Sequence, residues 1–473
     1  MLKFANFREV KEYISRKNTR FITFYVSDID GRLRNVTLPV SAFSEKTVEE
    51  GIGFDASNLG FATVDHSDMI LKPDLNFAFE DPVEEDESIL YFMCHMMDLT
   101  KRDHFDQDLR HIVQKAVGEL EREGIADQVK IGLELEFNIL DELFSRVTLR
   151  EVSYRIVSSE FTSPSTGEEI YRIASNRGYF RAEPNDHLFR IRNQIAQALD
   201  QLGIAVKYHH HEVGSSQCEL EFRFLPIDFM ADGTVLAKSI CHRIARRNNR
   251  IATFLPRIIP GEAGNGMHIH IILEKCRQNV FYHAQGLYQL SPVALQFIAG
   301  ILDHSSSLLA FTNPTTNSYR RLIPGFEAPV YAVFAEANRS AAIRIPGYIQ
   351  DPQERRFEFR TLDATCNPYL AYAAIVMAGL DGIRRQLDPT KQGFGPLEKN
   401  LYELPPDQLS RIKAFPTTLE AAIDGLLADQ DYLTYRQVFP AELITKWIQV
   451  KRKDIAEMQR IPHPWEVARY YDL

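Results

Sequence analysis

The chain has 473 residues, 45% of them hydrophobic and 25% charged, the balance of an ordinary globular protein and longer than a single domain usually runs. A formal net charge of −10 leaves no basic footprint for nucleic acid or an anionic membrane as the main partner. Five cysteines (Cys94, Cys218, Cys241, Cys276, Cys366) are widely spaced without a CxxC pair, which fits reduced thiols and argues against a zinc ribbon. Met1 to Asn18 mixes charged with apolar residues, and no uncharged apolar run later in the chain reaches the roughly 20 residues that span a bilayer. The expectation is a cytoplasmic protein.

Phe7 to Arg16 has helical spacing and predicts a short amphipathic helix. Phe21 to Val26 is rich in β-formers, Asp30-Gly31 is a hairpin signal, and Val36 to Val40 reads as the return strand. An acidic loop, Glu80 to Glu87, precedes a strand from Ile89 to Asp98, and the charged stretch from Lys101 to Asp108 reads as a connector between a small sheet domain and a larger one. Leu109 to Glu123 is helical with Gly124 as its stop, and Val129 to Leu140 follows as a strand. Helix and strand then alternate: Leu188 to Leu202 helical, Ala205 to Glu212 and Cys218 to Phe224 extended, Lys238 to Arg250 helical, Met267 to Leu273 extended. The pattern is α+β, without internal repeats or low-complexity tracts.

Successive side chains of a strand face opposite ways, so residues two apart share a face. In Gly132-Leu-Glu-Leu-Glu-Phe137, Glu134 and Glu136 therefore project together while the leucines and Phe137 pack behind. For one such pair a solvated strand face is the plainer reading. The pattern recurs, however: Glu219 and Glu221 share a face, His268 and His270 share a face, and Glu358 lies between Arg356 and Arg360 on another apolar strand. Crowded carboxylates repel unless a cation sits between them, and carboxylates with an imidazole suit Mg²⁺ or Mn²⁺ rather than a thiolate metal. Arg321, Arg339, Arg344, Arg356 and Arg360 follow closely in sequence beside Glu327 and Glu358. Metals with guanidinium groups are what phosphoryl transfer needs, and neither a Walker-A loop nor a dinucleotide fingerprint is present to hold a nucleotide in another way.

Longer stretches carry a resemblance. Phe54-Asp-Ala-Ser-Asn58, Gly132 to Phe137, His209-His-His-Glu-Val-Gly214 with Gln217-Cys-Glu219, Gly266-Met-His-Ile-His270, Asn313 to Pro329, Asn338 to Pro346 and Asn367-Pro-Tyr-Leu370 occur in an order and spacing that resembles the bacterial type I glutamine synthetases over nearly the whole chain. The resemblance implies a small N-terminal β-grasp domain over 1–105. It also implies a large catalytic domain over 106–473, ATP-guanido-kinase-like and built on an antiparallel sheet with flanking helices. The assembly it implies is a dodecamer of two six-subunit rings, with active sites between subunits.

On that resemblance one metal takes Glu136, Glu212 and Glu219, and a second takes Glu134, His268 and Glu358, with Mg²⁺ or Mn²⁺ at two or more positions per site. His270, Arg339, Arg344 and Arg356 face the phosphates of ATP. Gly264, Arg321, Glu327, Arg360 and Tyr179 face glutamate. Asp55 of the adjacent subunit takes the proton from ammonium, Glu327 lies on a loop that closes over the acyl phosphate, and Arg339 offsets developing charge. Lys399 to Pro406 resembles a segment whose tyrosine is adenylylated in some members, which makes Tyr402 a candidate modification site.

The sequence departs from the pattern at Arg257-Ile258, Ala263, Ser215-Ser216, Gln353, Lys207 and Arg181 to Pro184. Three functions are therefore weighed: glutamine synthesis from glutamate, ammonia and ATP; ligation of an organic amine such as a polyamine by the same machinery, to which Ala263 and the stretch after Tyr179 point; and a non-catalytic member retained for assembly. The third predicts missing metal ligands or phosphate arginines, and all six ligands and Arg339 are present.

Overall fold

The structure is a computed structural model that describes residues 1–62, 67–84, 88–100, 103–161, 172–326, 328–397, 399–470 and 472. The chain opens with the helix Phe7–Lys17, started by the Asn6 side chain accepting from the Glu9 amide at 3.2 Å and stopped by Asn18 in the left-handed region. Val10, Tyr13 and Ile14 bury its apolar stripe. Five strands follow: β1 (Phe21–Ser27), β2 (Leu33–Pro39), β3 (Ile52–Asp55), β4 (Asp68–Glu80) and β5 (Ile89–Met97), in the spatial order β2-β1-β5-β4-β3. The β1–β2 hairpin forms where the Asp30-Gly31 signal placed it. At its tip Gly31, at φ +80°, lies so close to the second half of the chain that a Cβ there would stand 2.9 Å from Asn367 Cα. Asn367 in return donates to the Ile29 carbonyl at 2.9 Å, which docks this sheet on the rest of the molecule.

The second sheet is assembled around β6 (Gln128–Leu140). Beyond the β7 (Glu142–Val147) and β8 (Val152–Val157) hairpin come β9 (Val206–His211), β10 (Gln217–Phe222), β11 (Leu225–Pro226), β12 (Ile251–Thr253), β13 (Met267–Lys275), β14 (Gln278–Asn279), β15 (Phe334–Glu336), β16 (Ile343–Ile345) and β17 (Phe357–Phe359). Its main path runs β15-β16-β17-β13-β6-β10-β9, and every pair is antiparallel except β15 with β16. The apolar alternates of β6 and β13, Leu133, Leu135, Met267 and Ile269, are fully buried in the core, where the helices Leu109–Arg122 and Ile227–Arg247 pack on β6, so the opposite face of both strands is free to carry polar groups.

The helix Ile227–Arg247 begins eleven residues before the Lys238 start that spacing predicts. Residues 227 to 237 contain Asp232, Gly233 and Thr234 and are buried on nearly every side, which erases the 3.6-residue stripe. The C-terminal part adds the helices Leu419–Ala428, Ala441–Gln459 and Pro464–Tyr470. No single helix among the described residues is long and apolar enough to cross a membrane; the apolar pair Pro292–Asp303 and Ser305–Thr312 is bent by 79° and lies in the core.

Candidate active site

Strand register brings the polar residues together in three rows. In one, Glu136 of β6 stands opposite Glu219 of β10, which stands opposite His210 of β9. In the next, His268 of β13 pairs with Glu134, which pairs with Glu221. In the third, Arg344 of β16 pairs with Glu358 of β17, Glu358 with His270, and His270 with Gly132. Glu136, Glu219, His210, His268 and Glu134 of the first two rows and Arg344 of the third line a cavity of about 540 Å³, whose wall also includes Glu212, Tyr179, Gly264, Arg321, Arg339 and Arg360; Glu358 and His270 are buried outside that lining. Glu221, two residues beyond Glu219, turns instead to Lys207 at 2.5 Å.

At one end, ligand atoms of His210, Glu212 and Glu219 lie within 4.8 Å of one another, and Glu136 is beside them. Burial, and then the Glu212 carboxylate, pushes Glu136 up to about 7; burial and the carboxylates of Glu134, Glu212 and Glu136 hold Glu219 well above the ordinary range. The His210 imidazole stands 3.3 Å from Glu219, but burial holds its pKa below the ordinary value, so it brings little countercharge to this end. This oxygen-rich donor set with one imidazole fits a hard or intermediate divalent ion, which would relieve the repulsion.

The other end supplies its own countercharge. Glu134 accepts from His268 at 3.0 Å and from His270 at 2.8 Å; burial opposes its ionisation, yet those bonds hold it well below the ordinary range. Glu358, fully buried, receives Arg344 Nε and Arg360 N–H at 2.5 Å each. Burial again opposes ionisation, and Arg360 above all keeps Glu358 low. Ligand atoms of Glu134, His270 and Glu358 lie within 4.8 Å of one another, and His268 Nδ1 stands 3.6 Å from Glu358, so both imidazoles border this position. Arg356 reaches His270 Nδ1 at 3.4 Å.

Arg321 anchors the third side. Its guanidinium donates to the carbonyls of Thr361 at 2.8 Å and Leu362 at 3.1 Å, and a Cβ at Gly264 would meet Pro256 O at 2.4 Å and Arg321 Cγ at 3.0 Å. Glycine is required there to let backbone and arginine approach. Among the described residues Arg360 Nε is buried without a protein acceptor, a donor suited to an anionic ligand. Tyr179 stacks on Phe180 at 4.2 Å, and its phenol, raised by burial, bonds toward Arg339.

Several participants escape a reading of the sequence. His210 belongs to the rows because β9 alternates, a signal already present in the His209-His-His run. Gln217 donates to Glu136 at 3.3 Å and to the Gly264 carbonyl at 3.1 Å, and the Gly266 amide donates to Glu136 at 2.8 Å, tying the carboxylate end to the Gly264 turn. Phe224 packs over Gly132 and beside Arg356 and His270, an aromatic face at the edge of this arginine–imidazole group. Asn176 accepts from the Ala263 amide at 2.9 Å and donates to the Gly261 carbonyl at 3.0 Å, bracing the turn where the family resemblance departs. Asp55, at the end of the edge strand β3, is exposed and does not line this cavity. Glu327 lies outside the described residues, and so does the side chain of Tyr402, whose backbone is in a short 3-10 helix, Leu401–Glu403.

A carboxylate–imidazole basin for divalent cations, flanked by buried guanidinium groups, defines a metal-dependent enzyme that handles anionic, phosphate-bearing substrates. The family profiles described as "Glutamine synthetase, beta-Grasp domain" and "Glutamine synthetase, catalytic domain" match residues 18–99 and 106–470. The chain is 40% identical over 478 residues to the glutamine synthetase of Streptomyces filamentosus, covering 99% of this chain and 100% of that one, and 39% identical to that of Aquifex aeolicus, covering 98% of each. The structure of Plasmodium falciparum glutamine synthetase superposes with a TM-score of 0.90 at 28% identity, over 99% of both chains. The chain belongs to the glutamine synthetase family, whose members use ATP and divalent metal.

Proposed function

We infer that the chain joins ammonia to the γ-carboxylate of L-glutamate with ATP, giving glutamine, ADP and phosphate through γ-glutamyl phosphate. What carries this reading is the convergence, in one cavity of a chain of this family, of a cation-demanding carboxylate end and an arginine-lined anion end. Glu136, Glu212 and Glu219 would hold one metal, Glu134, His268 and Glu358 a second, with Mg²⁺ or Mn²⁺ as the ions. Bound there, the metals would neutralise phosphate charge and polarise the transferring group.

The chain's own groups then have distinct tasks. Arg339, Arg344, Arg356 and His270 receive the ATP phosphates, and Arg339 balances charge as it shifts between oxygens. Arg321, Arg360, Gly264 and Tyr179 seat glutamate so that its γ-carboxylate meets the phosphoryl group. A carboxylate is a poor electrophile, so phosphorylation comes first and ammonia attacks second. Asp55, supplied by a neighbouring subunit of a dodecamer, takes the proton from ammonium, and the loop bearing Glu327 excludes water that would hydrolyse the intermediate. The cytoplasm is the proposed compartment, and Tyr402 the proposed modification site.

Organic amines are the less favoured acceptors, since the full-length relatives are glutamine synthetases. Measuring ADP release with ammonium against a panel of alkylamines and polyamines is the test. Turnover with ammonium and glutamate is expected; turnover only with an organic amine would reject the assignment.

A further inference from the structure

A second cleft, of about 550 Å³, opens where the β1–β2 hairpin tip meets the helix Ile227–Arg247, the helix Ala441–Gln459 and the segment 361–365. Arg32, Lys238, Arg243 and Lys451 line it against two carboxylates, Asp30 and Asp454. Both carboxylates are engaged: Asp30 pairs with Lys451 and Arg32 at 2.8 Å each, and Asp454 lies 3.4 Å from Lys451. Arg243 is taken by Asp81 at 2.5 Å.

Lys238 is different. Its ammonium donates to the Ala364 carbonyl at 2.9 Å, and among the described residues no carboxylate lies within ion-pair distance of it. The nearby acids are committed elsewhere, Asp28 to Arg34 at 2.7 Å and Asp363 to Asn313 at 2.9 Å. Burial lowers the Lys238 pKa, as expected for a desolvated cation that lacks a counterion. One helical step away, Ser239 adds a hydroxyl to the cleft wall, and Arg32 is two-thirds exposed with guanidinium edges to spare.

A half-buried cation with unused N–H groups, a hydroxyl donor and an exposed guanidinium converge on one concave space, the donor set that recognises phosphate oxygens. The space is much larger than a bare phosphate ion fills and falls in the range of small-molecule sites. We propose that this cleft is a second anion site, distinct from the metal cavity, that takes a small phosphate monoester with its phosphate on Lys238. The Ala364 carbonyl that holds Lys238 belongs to the segment whose Thr361 and Leu362 carbonyls hold Arg321, so the cleft and the glutamate-facing arginine share one stretch of backbone.

The test is calorimetric titration of the full-length protein with glycerol 3-phosphate, with inorganic phosphate, glycerol and citrate as comparison probes, each with and without saturating ADP. The expected result is one saturable site per chain for the monoester, tighter than for inorganic phosphate or citrate, absent for glycerol and undisturbed by ADP. Lys238→Met should weaken it about tenfold or more, Lys238→Arg should retain it, and Ser239→Asp should abolish it by charge while leaving the lysine in place. Displacement by ADP would assign the binding to the metal cavity instead. Binding of equal strength in Lys238→Met and Ser239→Asp, preference for citrate, or no saturable binding would overturn the proposal.

Discussion

The two ends of the cavity are built from the same strands yet solve opposite electrostatic problems. Around Glu136, Glu212 and Glu219, carboxylates face one another with the His210 and His268 imidazoles beside them, and protonation or a cation must relieve the strain. Around Glu134 and Glu358, the protein brings two histidines and two arginines of its own. The first end therefore demands an ion, whereas the second is already neutralised and must exchange its protein partners for one. Metal should accordingly fill the carboxylate end tightly and the imidazole–arginine end weakly, until anionic substrate draws the arginines away.

The largest expected effect breaks the shared boundary. Glu134→Ala removes the carboxylate both histidines lean on, and turnover should fall by roughly 10²–10³-fold or more while gel filtration shows an unchanged assembly. Activity near the parent level would contradict the metal assignment.

A buried ion cluster outside the cavity serves as the reference for self-neutralisation. His304 bridges Asp381 and Asp429 at 2.8 Å each; burial opposes its protonation, but the two carboxylates raise its pKa to about 9. Since the folded value lies above the ordinary 6.5, the stabilisation is complete below about pH 6.5 and disappears as pH rises through 9. Denaturant midpoints should drop across that window by a free energy on the order of 3 kcal/mol, and His304→Gln should flatten the dependence. A parent protein whose midpoint does not change between pH 6.5 and 9.5 would dismiss the bridge.

At the carboxylate end, Glu219→Gln should raise the stability of chelator-treated protein by about 1–2 kcal/mol at neutral pH while cutting the stabilisation that added Mn²⁺ provides. Lower stability of that variant without metal would mean the repulsion is not there to be relieved. The smallest effect concerns the turn before Glu327. Arg257 lies 4.0 Å over the Phe326 ring, and Arg257→Leu should raise ADP formed per glutamine about two- to fivefold if that stack holds the closing loop. An unchanged ratio would remove Arg257 from the loop's support.

Alternation made much of this site legible. Two-residue spacing placed Glu134 with Glu136 and His268 with His270 on common faces, and antiparallel register then turned those pairs into rows. His210 obeys the same rule but was concealed in a run of three histidines, where only Glu212 stood out as a carboxylate. Gln217, Asn176 and Phe224 act through contacts between residues distant in sequence, which no local spacing encodes. In the fold, β1 and β2 were announced by their turn, whereas the parallel pairing of β1 with β5 depends on a crossover that local pattern does not fix. The N-terminal half of the helix Ile227–Arg247 lost its stripe to burial, and the C-terminal helices lie beyond the segments that carry chemical motifs.

Asp55 is exposed and lies outside the lining of its own chain's basin. On the proposed roles, a solitary copy holds a cavity without its ammonium-side base and a base without its cavity. Dilution below the assembly threshold should then silence the protein without unfolding it. Co-expressing two individually inert variants, Asp55→Ala and Glu134→Ala, should yield mixed assemblies in which about a quarter of the proposed junctions are intact, an activity neither parent possesses.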